Sequence, residues 1–170
     1  TLRGLRIKGL NAQVAALENG EAKLRPIRIL LAGLSRDANM AIPLTRGIQT
    51  AIAGNRRYLG AYTTALIELQ GPDAVTELVD RYLANDAVSI DSQELMIEAF
   101  AIQNLYGGRA VKRRIKQELE TVLAARPELA GATARQFSRH SNWTLASAVE
   151  EARNAAPPRN AKDAVPITKY

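Results

Sequence analysis

Chain breakers cut this sequence into pieces of helix length, and nothing between them alternates as a strand would. "ENGE", "RDAN", "QGPD", "YGGR" and "ARPEL" each gather Gly, Pro, Asn or Asp residues that favour turns and helix ends. Between them, apolar residues recur every three or four positions, the spacing of one helix face. Eight or nine helical segments are expected. The first runs from Leu5 to Leu17, and "KLRPIRILLAGLS" forms the second, with Pro26 near its start, where a missing N–H does little harm. The third carries Pro43 early and runs to Ile52, and the fourth is "RRYLGAYTTALIELQ", with Asn55 as its cap. Gly71 stops the fourth and Pro72 starts the fifth, "PDAVTELVDRYLA". The sixth, "LMIEAFAIQNLY", has Asp91 as cap and Glu94 three residues on, the spacing of a capping box. The seventh follows Gly107 and Gly108 and reaches Ala125; "RPEL" opens the eighth and "SNWT" the ninth. Residues 1–155 are therefore expected to form one all-helical domain. Residues 156–170, "APPRNAKDAVPITKY", hold three prolines and read as an extended or disordered tail.

The apolar content agrees with helix. It makes up 46% of 170 residues and is mostly Ala, Leu, Ile and Val, with five Tyr, two Phe and one Trp, so the core is aliphatic and closely packed. The chain has no cysteine, hence no disulfide, thiolate nucleophile or thiolate metal site. Its longest apolar run, "IRILLAGL", falls far short of a membrane span, and a soluble protein is expected, cytoplasmic or exported. The first residue is Thr, which points to an upstream segment removed by processing or by deliberate trimming. A net charge of +6 biases the protein toward acidic partners without naming one.

Sliding the chain by 36 residues aligns it with itself. Leu59 falls on Leu95, Ala65 on Ala101, Leu69 on Leu105, Gly71 on Gly107, Val75 on Val111, Val79 on Ile115 and Leu83 on Leu119. Two copies are clear, with atypical ends such as cap a helical stack. "ALIELQGPDAVTELVDRYLAND" (residues 65–86) and "SQELMIEAFAIQNLYGGRAV" resemble the junctions of HEAT-like α-helical hairpin repeats, over roughly residues 56–123. Asp86 and Asp91 stand where that family's turn Asp falls, and Met96 stands near its usual Arg. The resemblance implies a right-handed hairpin solenoid, or an irregular bundle of eight or nine helices, acting as a scaffold or binding surface.

"GGRAVKRRIKQELE" (residues 107–120) is the most distinctive stretch, with five cations in eight residues. Val111, Ile115, Leu119 and Val122 form an apolar stripe on a helix, which leaves the cations on other faces. The cations crowd the N-terminal half while Glu118 and Glu120 lie further on, the reverse of what the helix dipole favours by about 0.3–1 kcal/mol per exposed charge. The 36-residue register places Asp73, Glu77 and Asp80 against Arg109, Arg113 and Lys116, so an inter-repeat charge ladder is expected. Lys112 and Arg114 are left over by that ladder.

Catalytic chemistry finds little support in the residues. His140, the sole histidine, sits in "SRHSNW" without a nucleophile elbow and reads as part of a polar turn capped by Ser141 or Asn142. Glu94 and Glu98 share a helix face, but capping accounts for Glu94. The glycines lack phosphate-cradling spacing, and Tyr58 and Tyr62 beside Arg56 and Arg57 come nearest to aromatics interleaved with cations. The expected function is a non-enzymatic protein-interaction or scaffold/assembly subunit, without cofactor, catalytic residue or metal site, working with a protein partner or larger assembly. The alternative is a basic helical nucleic-acid-binding protein. The candidate contacts for partner or nucleic acid are Arg56, Arg57, Lys112, Arg113 and Arg114.

Overall fold

A computed structural model describes residues 24–155, which form eight α-helices and, among the described residues, no strand. The helices are α1 (Arg25–Leu34), α2 (Ala41–Ala53), α3 (Leu59–Gln70), α4 (Pro72–Leu78), α5 (Ile90–Tyr106), α6 (Arg109–Ala125), α7 (Ala130–Ser138) and α8 (Ala146–Ala155). The expected helix Leu5–Leu17 and the tail 156–170 lie outside the described residues. The fold divides into two compact units, with the boundary inside α4 between Ala74 and Val75.

In the first unit α3 is central, and both α1 and α2 pack on it. Leu59, Tyr62, Thr63, Ala65, Leu66 and Ile67 of α3 are all buried, so this helix has almost no polar face. Two glycines set the closeness of the packing. A Cβ at Gly33 of α1 would overlap the Ala65 carbonyl, and one at Gly47 of α2 would overlap the Tyr62 ring. Pro26 sits in the first turn of α1 as expected. Asn55, expected as the cap of α3, instead accepts from the Arg57 N–H (3.0 Å) in an Asx turn, and α3 starts later, after Tyr58. Arg56 and Tyr58 in that turn both take left-handed backbone, with φ of 60° and 64°.

In the second unit α5 is central. Met96, Ile97, Ala99, Phe100 and Ala101 are buried together with Ser92, Gln93, Gln103 and Asn104. Ser89 rather than Asp91 caps it, its Oγ accepting from the Ser92 N–H. Glu94, freed from the expected capping box, reaches Arg135 and Gln136 on α7. α4 runs on into a π-helical turn, Val79–Leu83. Gln93, fully buried, donates through Nε2 to the carbonyls of Tyr82 (2.9 Å) and Leu83 (3.3 Å) at the end of that turn and of Asn85 (3.0 Å) just beyond it. Arg126, between α6 and α7, adds a bond from Nη1 to Leu83 O (2.9 Å) and pairs with Asp86 and Glu128. A buried amide and a buried guanidinium thus satisfy the carbonyls that the irregular turn leaves over.

Five side-chain hydrogen bonds of this unit, made by helices or by the turns that follow them, span 40 to 43 residues. Thr76 Oγ1 donates to Glu118 (42 residues apart), Arg126 to Leu83 O (43), Arg135 to Glu94 (41), Gln136 to Glu94 (42) and Asn104 to Thr144 (40). Partners advance together along both chains, so the helices lie side by side and parallel: α4 and its π turn beside α6, and α5 beside α7. The 36-residue register read from the sequence is therefore not the spatial one. It aligns equivalent residue types, whereas neighbours in space are offset by about six residues more, roughly 9 Å along a helix axis.

Candidate interaction surface

Of the expected apolar stripe of α6, Ile115, Leu119 and Val122 are buried, together with Leu123, while Val111 is half-buried. Its five cations consequently lie away from the core, and each has a distinct environment. Lys112 Nζ donates to Leu105 O (2.7 Å), capping the last turn of α5, where carbonyls lack helical partners. Arg114 leans toward Glu118 (3.5 Å), whose carboxylate also accepts from Thr76, and Lys116 pairs with Glu120 (2.7 Å). Both ion pairs run cation-first along the helix, the weaker order. Arg109 and Arg113 are exposed, and neither forms an ion pair among the described residues.

The charge ladder expected from the 36-residue register does not form. Glu77 pairs with Arg81 on its own helix (3.3 Å) instead of Arg113, and Lys116 pairs with Glu120 instead of Asp80. The axial offset between α4 and α6 explains this: it brings Thr76 to Glu118 and carries the acidic and basic triplets past each other. Lys112 and Arg114, the two cations without an expected role, have internal partners, while Arg109 and Arg113, expected to be neutralised, face solvent. A neighbouring feature gave no sequence signal. Tyr106, the last residue of α5, is 76% exposed, and Leu105 beside it is 36% exposed. The apolar periodicity of α5 would place both residues in its core.

In the first unit, Arg56 and Arg57 precede α3. The Arg57 guanidinium lies 4.9 Å from the centre of the Tyr58 ring and that of Arg25 lies 5.7 Å from it, so one ring meets two cations. Tyr62, grouped with Tyr58 by spacing, is buried against Gly47 and presents nothing to a partner.

The remaining candidates lie in turns and inter-helix contacts. The His140 N–H donates to Phe137 O at the end of α7, and Asn142 Oδ1 accepts from the Thr144 N–H and hydroxyl ahead of α8. Ser141 has a left-handed backbone (φ 51°) and makes the turn there. Glu94 takes a two-pronged contact from Arg135 and a third bond from Gln136, a part-buried network holding α5 to α7. A shallow apolar hollow lies between α7 and α8, lined by Phe137, Trp143, Leu145 and Val149, with the Thr133 hydroxyl buried and without a hydrogen-bond partner among the described residues. Among the described residues no group of three potential metal ligands comes together, and no helix is long and apolar enough to cross a membrane.

Comparison with known proteins returned nothing similar: no protein-family model, curated protein or solved structure matches this chain.

Proposed function

We propose that this chain is a non-enzymatic helical-repeat module, HEAT-like in design, that serves as a protein-interaction or assembly subunit. One observation carries the reading: parallel helices of residues 75–155 meet side by side at a repeated separation of 40 to 43 residues. So steady an offset between contacting positions fits equivalent helices of successive hairpins stacked beside one another, with the 36 residues of the sequence register as the repeat period. Stacking of this kind buries a continuous core while leaving helix ends and outer faces as an extended surface for partners. The alternative, a nucleic-acid-binding protein, draws on the same cations. It draws less support from their distribution, because residues 75–155 hold ten basic and eleven acidic residues, a net of −1.

The test is native purification of the tagged full chain, followed by cross-linking and size measurement. A stoichiometric complex with another protein, cross-linked through the surface of residues 75–155, is the expected result. Recovery as a free monomer at both low and physiological salt would refute the assembly role. Salt-dependent binding to duplex DNA or RNA, steep in log affinity against log salt, would favour the alternative.

A further inference from the structure

Half of the cations in residues 75–155 are packed into Arg109–Lys116, and the rest of the unit carries five basic and eleven acidic residues. The charge is therefore sharply segregated. Segregation alone would be unremarkable if the cations neutralised neighbours, and three of them do have partners. Among the described residues Arg109 and Arg113 do not. They stand one helical turn apart on exposed positions at the start of α6, where no acidic residue occupies the first turn. Cations there oppose the helix dipole and so act against helix stability. A pair of exposed arginines that no described residue pairs, close in sequence to a largely exposed tyrosine, is poorly explained by folding and well explained by recognition. Tyr and Arg are the residue types most enriched at the energetic centres of protein interfaces.

We infer that Tyr106, Arg109 and Arg113 form a docking surface for an acidic protein segment, specifically one presenting two carboxylates a helical turn apart. The inference rests on the proposed interaction role and names the chemistry of the partner. Residues four apart on a helix face have Cβ atoms about 5–6 Å apart, so the two guanidinium forks match carboxylates at i and i+4 on a facing helix. Lys112 contributes rigidity: its bond to Leu105 O ties the first turn of α6 to the last turn of α5, fixing Tyr106 relative to the arginines. The acidic majority elsewhere in the unit disfavours an extended polyanion, whose phosphates would run onto like charge, and admits a short acidic segment confined to the patch.

The experiment uses the full chain, labelled with ¹⁵N, and two Ala-based helical peptides of about 16 residues. One carries two Glu residues at i and i+4 with a Leu on the same face; the other has the same composition with the Glu residues on opposite faces. At about 50 mM salt the matched peptide is expected to shift the amides of residues 105–114 and to bind about tenfold more tightly than the mismatched one. R109A/R113A should erase that preference, R109K/R113K should retain part of it, and Tyr106→Ala should weaken binding without changing its salt dependence. Equal binding of the two peptides, or an equal loss on Arg46→Ala, an exposed cation of the first unit, would overturn the inference in favour of unspecific charge attraction. Tighter binding of a single-stranded oligonucleotide of about 12 nucleotides through the same amides would overturn it in favour of nucleic acid. If the peptides fail while the chain still purifies in a stoichiometric protein complex, this surface is wrong and the interaction role stands.

Discussion

Arg126→Met removes the guanidinium that holds the end of the π-helical turn while keeping most of the apolar stem. Arg126 is 8% exposed, and its bond to Leu83 O is a buried, charge-assisted hydrogen bond of about 1.5–3 kcal/mol. The Glu128 pair, with that carboxylate mostly buried, adds up to about 1 kcal/mol, while the largely exposed Asp86 adds almost nothing. Leu83 O keeps a longer bond from Gln93 (3.3 Å), which places the net cost at roughly 2–3 kcal/mol. The assay is urea unfolding followed by the fluorescence of Trp143, the only tryptophan and a residue of the same unit. With a denaturant slope of about 1–3 kcal/mol per molar, the midpoint should fall by about 1–2 M. Arg113→Met, an exposed control, should stay within about 0.5 kcal/mol of the parent. Gln93→Leu combined with Arg126→Met should be non-additive by about 0.5 kcal/mol or more, since both groups serve Leu83 O. A midpoint shift in Arg126→Met no larger than in Arg113→Met would refute the idea that this guanidinium holds the turn.

Gly33→Ala should destabilise the first unit by about 2–3 kcal/mol, read by far-UV circular dichroism during thermal unfolding, because the new methyl meets the Ala65 backbone, which cannot rotate away. Arg109→Glu should raise stability by about 0.3–1 kcal/mol, because it reverses a charge that opposes the helix dipole and gives Arg113 an acidic neighbour in the favourable order. The same variant should lose the preference for the matched acidic peptide, so stability and binding move in opposite directions. Ser89→Ala should cost about 1 kcal/mol by uncapping α5, whereas Asp91→Ala should cost clearly less, which distinguishes the observed cap from the one the sequence suggests.

Helix positions were legible because they depend on local chemistry. Pro72, Gly71 and the Gly107–Gly108 pair mark boundaries within a residue or so, and the stripe Ile115, Leu119 and Val122 is buried as read. Caps were less legible. Ser89, Asp91 and Asn55 are all competent cap residues, and only the backbone path selects among them. Arg126 and Gln93 gave no signal, because the carbonyls they satisfy exist only after the chain makes its π turn. The candidate surface was half legible. The basic cluster was plain, but its division into paired and unpaired cations depends on how far α4 slides along α6, which no residue type encodes. Tyr106 was hidden by a periodicity that continues to the last turn of α5, although its final residues project beyond the core.

By itself the sequence determined the all-helical character of residues 24–155, the extent of most helices, the apolar face of α6 and the crowding of charge at its start. These follow from interactions between residues a few positions apart, which local spacing records. Tertiary structure alone decided the division at Ala74 and Val75, the 40-to-43-residue separation of neighbouring helices, and which cations are neutralised. Those depend on side-chain shape at helix contacts, where an axial shift of about 9 Å changes every pairing without altering a single propensity.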